Sequence, residues 1–298
     1  MQSHPPSLVT LARRGLVEAK VPKGARILVA VSGGRDSMAL LHVLALLRRK
    51  VPLELVAHGV DHGLRAEASA ELELAGELAA SLDVPFARTV IEVLPGSNVM
   101  ARARDARWAV LEGKAREVHA GFIATGHHMD DRAETVLLRL LRGAGPRGLA
   151  VLPPRSRAHE PPRIRPLVRS RRAAIDAHVA RHGLRFAEDP SNASSRFSRT
   201  RVRFEVLPLL ESLSPAIVVH LATLADQLGE MLPEHADHMH PLPRATQRAL
   251  RDLVETRSAK ARIELPGALV ATYDRTQVQV MVDPSTKPFR SKSRRSSK

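Results

Sequence analysis

The amino-acid sequence predicts an α/β protein: a parallel sheet covered by helices on both faces, followed by a small α+β module. Two observations predict the first part. An apolar run, Ile27 to Val31, breaks at Ser32-Gly33-Gly34, and a helical pattern starts at Asp36; apolar run, glycine turn and helix start read as a strand feeding a helix. Strand-like runs then alternate with helix-period segments as far as Leu141, the rhythm of a parallel sheet with helical crossovers. A third observation predicts the second part. Beyond residue 213 come a helical pattern, a His/Pro-rich linker, a second helical pattern and three short strand-like runs.

The elements follow in order. Leu40 to Arg49 continues the first helix, and Leu53 to Ala57 is a second strand. Residues 66–82 place Leu72, Ala75, Ala79 and Leu82 on one helical face. Val84 to Val93 is a third strand, Val99 to Val118 a long Ala/Arg-rich helix, Gly121 to Thr125 a fourth strand, and Asp130 to Leu141 the next helix. Residues 143–168 are rich in Gly, Pro and Arg, which predicts a loop. Helical patterns resume over 170–182 and 201–210. These assignments give a catalytic domain over 1–212 and a module over 213–284. The module holds helices Ile217 to Met231 and Arg244 to Arg257 and strands Arg262 to Leu265, Leu269 to Tyr273 and Val278 to Val282. Residues 285–298 end in KPFRSKSRRSSK and read as a disordered basic tail.

Composition narrows the class of partner. The 298 residues carry 46 Lys and Arg against 31 Asp and Glu, a formal net charge of +15. Such a surplus favours a polyanion, nucleic acid first. Aromatic residues make up only 3%, too few for a base-stacking single-strand binder, so phosphate contacts and shape must carry RNA affinity. The absence of cysteine excludes disulfides, zinc–thiolate sites, iron–sulfur clusters and thiol catalysis within this chain. MQSHPPSLVTLARR lacks an uninterrupted apolar core, and no 18-residue apolar run occurs. A soluble cytoplasmic protein without a membrane span is expected. Monomer and homodimer both stay open.

Two segments carry chemistry, and both follow strands, where ligands of such sheets sit. In SGGRDS, residues 32–37, Gly33 and Gly34 let the backbone approach an anion closely. The N–H groups at the helix start then face that anion. Ser32 and Ser37 add hydroxyls. Asp36 either caps free N–H groups or helps hold Mg²⁺ between phosphates. The loop lacks the Gly-Lys-Ser/Thr of a Walker A. In GHHMDDRAET, residues 126–135, two histidines and two carboxylates meet a helix start. Asp130 and Asp131 suit Mg²⁺ better than a zinc site, which wants three fixed ligands.

SGGRDS resembles the pyrophosphate loop (PP-loop) of the N-type ATP pyrophosphatases, with an adenine nucleotide alpha hydrolase-like fold. Taken with GHHMDDRAET it resembles the tRNA(Ile)-lysidine synthetase family. Further segments agree over roughly residues 25–210: Val60-Asp61-His62-Gly63-Leu64-Arg65, Arg102 to Trp108, Leu140 to Leu149, Arg165-Pro166-Leu167, Glu188 to Asn192 and Phe197 to Arg203. The module looks like a truncated version of the family's first C-terminal domain, and the second such domain is lacking. Four positions depart from the family's pattern: Gly59 for His, Met100 for Glu, Arg132 for Gln and Thr200 for Asn.

The resemblance implies a ligase that uses ATP to adenylate the first anticodon cytidine of tRNA(Ile) with anticodon CAU, then joins free L-lysine to C2. It implies catalytic roles for Asp36, Asp130 and Asp131. ATP would be bound by Ser32, Gly33, Gly34, Arg35, Asp36, Ser37, His62, Arg107, Gly126 and His127, with Mg²⁺ on Asp36. It implies tRNA contacts by Arg165, Arg171, Arg172, Arg201 and Arg203, within a wider basic face of Arg155, Arg157, Arg163 and Arg169. Rival readings are tRNA thiolation, which wants cysteines; amidation of a small molecule, which leaves the basic surplus unexplained; and an RNA or nucleotide binder without turnover.

Overall fold

The computed structural model describes residues 6–61, 63, 68–92, 99–156, 159–187 and 198–231, and further on 246, 249, 252–253, 255–256, 262–265, 269–274 and 277–282. The chain divides into two compact units, Met1–Ala236 and Asp237–Lys298.

The first unit is built on five strands: β1 (Ala25–Val31), β2 (Leu53–Asp61), β3 (Phe86–Val90), β4 (Phe122–Ala124) and β5 (Arg163–Ile164). All pair in parallel, in the order β3-β2-β1-β4-β5. Its helices are α1 (Leu8–Glu18), α2 (Arg35–Arg48), α3 (Ala68–Ser81), α4 (Val99–Glu117), α5 (Met129–Leu141), α6 (Pro146–Leu149), α7 (Arg172–His182), α8 (Ser198–Arg201), α9 (Leu207–Leu213) and α10 (Ile217–Glu230). A π-helical turn, Val202–Val206, joins α8 to α9, where the sequence reads as one helix over 201–210.

Central β1 explains its own composition. Ile27, Val29 and Val31 face a core shared with α1, α2, α3 and α7, while Leu28 and Ala30 face Leu111 and Ala115 of α4. Both faces are covered, so the strand is apolar throughout rather than alternating. The chain winds outward through β1, β2 and β3, then returns to place β4 on the other side of β1. That reversal opens a crevice at the carboxyl ends of β1 and β4, the place where such sheets bind ligands.

Three expectations change. The predicted loop 143–168 contains α6 and β5; β5 has only two residues between prolines and arginines, too short to show a period. Helix α1 was not legible either, although Ser7 caps it by accepting the Thr10 N–H at 3.3 Å. Its apolar stripe is only Leu8, Ala12 and Leu16. Lastly, the first unit runs past the expected boundary at 212/213. Val218, Leu221 and Ala225 of α10 pack on Ala133, Val136, Leu149 and Val151, which holds α10 in this unit.

In the second unit, β6 (Arg262–Leu265), β7 (Leu269–Asp274) and β8 (Gln277–Val282) form an antiparallel sheet in sequence order, close to the predicted strands. Most of the expected helix 244–257 and all of the tail 285–298 lie outside the described residues. Among the described residues no single helix is long and apolar enough to cross a membrane.

Candidate active site

The turn after β1 is braced by Ser37. Its hydroxyl donates to the Gly34 carbonyl at 2.8 Å and accepts the Ser32 N–H at 3.1 Å. Ser37 therefore shapes the loop, while exposed Ser32 keeps its hydroxyl near the rim. Gly33 has φ +77°, and a Cβ there would lie 2.2 Å from the Glu71 carbonyl oxygen; only glycine fits. Arg35 departs from its expected role. Its guanidinium reaches Asp176 of α7 at 2.8 Å and stacks over Phe186, so only its backbone belongs to the phosphate loop.

The second segment docks onto the first through Gly126, where a Cβ would come within 2.8 Å of the Asp36 carbonyl carbon and oxygen. This contact brings His128 into a ring of three carboxylates. Its Nε2 lies 3.7 Å from Asp36 Oδ2 and 3.4 Å from Asp131 Oδ2, and its Nδ1 lies 3.5 Å from Asp130 Oδ2. Burial opposes charge on His128, but the hydrogen bond with Asp130 and the charges of Asp131 and Asp36 outweigh it and raise its pKa. In that protonated form Nδ1 donates to Asp130; in the neutral form it can accept the Asp131 N–H at 3.4 Å. Next door, burial lowers the pKa of His127 to about 3, leaving a neutral imidazole hydrogen-bonded to Thr125 at 2.8 Å.

The three expected catalytic carboxylates have different surroundings. Burial raises the pKa of Asp36, and its Oδ1 is buried without a hydrogen-bond partner. Asp131 accepts the His128 N–H at 3.1 Å and Arg199 Nη2 at 3.0 Å. Asp130 turns toward α7, accepting the Arg172 N–H at 2.8 Å and Arg171 Nε at 3.1 Å. Burial alone would raise its pKa, but its partners, His128 first, hold it at about 2. Asp130 thus anchors the first turn of α7. Ligand atoms of Asp36, His128 and Asp131 lie within 4.8 Å of one another. The orphaned Asp36 oxygen beside Asp131 is a hard-oxygen pair suited to Mg²⁺ completed by phosphate and water.

Most of the arginines expected on the tRNA face are engaged internally. Arg165 is buried, donates to the Pro153 carbonyl at 2.7 Å, and is lowered to about 10 by desolvation. Arg171 bridges Asp130 and Glu211, and Arg203 grips Glu134 at 2.6 Å. Arg163 pairs with Glu112 over the Trp108 ring, and Arg169 binds Glu18 and Asp226. Arg201 is exposed and pairs with Glu205 one turn on, a contact of small energy. The guanidinium groups of Arg107 and Arg172 have no hydrogen bond or ion pair among the described residues. Arg172 lies close enough to lower the pKa of Asp36, and Arg107 acts likewise on His127. His62 and the segment Glu188 to Asn192 lie outside the described residues.

Sequence reasoning missed His128, Glu134 and Arg199. Glu134 is 1% exposed and receives Arg199 and Arg203 together. A signal for His128 existed in its spacing to Asp131, which forms a reciprocal capping box. Two departures gain physical reasons. At Gly59 a Cβ would meet the Leu72 Cδ methyl at 2.5 Å, so a side chain there requires Leu72 of α3 to shift. Arg132 faces away from the nucleotide loop and is 1% exposed, donating to the Val151 carbonyl at 2.9 Å and pairing with Asp226 of α10 at 2.6 Å. Arg132→Gln is therefore expected to cost about 2–3 kcal/mol of stability in denaturant unfolding while leaving ATP affinity within roughly twofold. A large affinity change without destabilisation would contradict this placement. Nothing in the structure explains Thr200, and the Met100 side chain is outside what is described.

Glycine turn, helix start and carboxylate–histidine cluster at the β1/β4 crevice define an α/β nucleotide-binding domain of the PP-loop class. Residues 10–210 match the PP-loop domain family, and the chain belongs to it. Curated relatives are named tRNA(Ile)-lysidine synthase. That of Pseudomonas syringae pv. tomato is 43% identical over 203 residues, covering 68% of this chain and 45% of the relative. That of Symbiobacterium thermophilum is 42% identical over 228 residues, covering 74% and 46%. The chain spans about half the length of the curated relatives it matches. Among solved structures, the U34-tRNA thiolase NcsA from Methanococcus maripaludis superposes with a TM-score of 0.65 at 18% identity, covering 76% of this chain and 80% of that one; the likeness is of fold.

Proposed function

We propose that this chain catalyses ATP-dependent joining of free L-lysine to C2 of cytidine 34 in tRNA(Ile) with anticodon CAU, giving lysidine, AMP and pyrophosphate. The observation that carries the reading is the docking of the SGGRDS loop on the Asp36–His128–Asp131 cluster through Gly126. That docking occurs in a domain 43% identical to a curated protein of that activity's name.

The chemistry runs in two steps. The C2 carbonyl oxygen of the cytidine attacks the α-phosphorus of ATP and pyrophosphate leaves. The N–H groups at the start of α2, aimed from the Gly33-Gly34 turn, receive the leaving group's charge. Asp36 and Asp131 would hold Mg²⁺, which would supply further charge neutralisation when bound. Arg107 and Arg172, which have no carboxylate partner among the described residues, are suited to the α-phosphate and the adenylate. The lysine amine then attacks C2 and AMP departs. Ionised Asp131 orients the incoming ammonium group, which releases a proton to solvent water before attack, and neutral His127 adds no competing charge. We place the reaction in the cytoplasm, where tRNA and ATP meet.

Arg107→Ala and Arg172→Ala are each expected to weaken ATP binding roughly tenfold, the scale of one lost charge-assisted bond, read by calorimetric titration. Unchanged affinity in both would remove these residues from the site. The function itself is tested by pyrophosphate release with lysine and the tRNA supplied together and each withheld in turn. Release that needs the tRNA, with labelled lysine entering it, is the expected result. Release indifferent to tRNA, or RNA left unlabelled, would overturn the reading.

A further inference from the structure

We infer that His42, His178 and His182 form a binding site for one divalent transition-metal ion of the zinc class, distinct from the nucleotide site. His42 lies within α2, and His178 and His182 lie one turn apart on α7, a spacing that puts both imidazoles on one helical face. His42 Nδ1 is 2.9 Å from His178 Nε2. The three ring centroids are 4.5 to 5.1 Å apart, and one nitrogen from each ring falls within 4.8 Å of the other two.

The donor set selects the ion. Three imidazoles with no carboxylate among the described residues paired to them offer nitrogen only, which suits zinc, cobalt, nickel or copper and not magnesium or calcium. His42 and His178 are buried and His182 is exposed, so a fourth position opens to water, as in sites with three protein ligands. At bond lengths of about 2.0–2.1 Å the nitrogens of a tetrahedral site stand roughly 3.4 Å apart, which requires the exposed His182 ring to swing inward. Burial lowers the pKa of His42 and of His178, the latter to about 4. Burial thus favours the neutral, ligating form of both imidazoles. Arg49 and Arg181 lie close enough to add repulsion, which tempers affinity. A bound ion would tie α2, which starts at the phosphate loop, to α7, whose first turn is held by Asp130.

The test is metal binding to the full chain stripped with chelator and desalted. Zn²⁺ uptake by equilibrium dialysis is compared between wild type and His182→Ala, with His182→Gln as a second variant should the first not fold. Other groups can compete for zinc, including the histidines at 235, 238 and 240 of the sequence and the Asp36 cluster. The readout is therefore the difference: the His182 variants lose one equivalent per chain and the zinc-induced rise in Tm. Co²⁺ supplies a second readout, a four-coordinate visible band present in wild type and in Asp131→Ala but absent without His182. Equal stoichiometry and equal Tm response in wild type and variant, or a Co²⁺ band that survives loss of His182, would overturn the inference.

Discussion

Asp36→Asn is expected to slow pyrophosphate release roughly a hundredfold or more, with no loss of thermal stability. The two halves of this expectation have one cause. Asp36 sits at the first turn of α2 with Oδ1 buried and unpartnered, and desolvation raises its pKa. Without a ligand, the folded protein carries a carboxylate that burial disfavours and that gains only part of its compensation from His128 and Arg172. An amide of the same shape removes that cost, offset in part by a weaker interaction with the helix N-terminus. With ATP bound, the same carboxylate is the free oxygen donor facing the phosphates, and its loss withdraws several kcal/mol of charge stabilisation from the transition state. Activity and stability are thus set against each other at this residue, as they often are where a site is built for a ligand. A variant that melts far below wild type, or keeps most of its rate, would show that Asp36 is a structural cap.

Gly126→Ala is expected to lower turnover by a comparable factor for a purely geometric reason. The added methyl would meet the Asp36 carbonyl carbon and oxygen at 2.8 Å and the Ser37 nitrogen at 3.1 Å. These are backbone atoms and cannot swing aside, so the β4–α5 junction must retreat from the phosphate loop. A misplacement approaching 1 Å between reacting groups costs about a hundredfold. The clash is confined to the first turn of α2 and the β4–α5 junction, so the cost in stability stays at about 1–3 kcal/mol. Single-turnover rates with tRNA and ATP saturating separate this from weak binding. A near-normal single-turnover rate would mean the two loops need not touch as they do.

The parts of the site legible in sequence are those that local order specifies. Ser32 to Ser37 follows a strand and starts a helix, so its chemistry is written in adjacent residues. Asp130 and Asp131 are adjacent too, yet successive residues on a helix point about 100° apart. One carboxylate goes to α7 and the other to the His128 cluster, a division no pattern of two acids can state. The internal partners of the arginines were hidden for a related reason. Arg165, Arg171 and Arg203 read as surface charge because their partners, the Pro153 carbonyl, Glu211 and Glu134, are either backbone or distant in sequence. Arg132 read as a damaged motif position, and only the return of α10 onto α5 reveals Asp226 as its partner. In the fold, the alternation of β1 to β4 with helices was legible. The strand order was not, and β5 exists only through pairing with β4.

One junction has an energetic meaning. The Ala187 N–H donates to the Gly33 carbonyl at 2.9 Å, and Arg199 donates to Asp131 and Glu134. Ala187 is thus tied to the phosphate loop and Arg199 to the carboxylate cluster. Both ties form with the folded domain, so the entropy of ordering Ala187 and Arg199 is met during folding and not again at each encounter with ATP or tRNA.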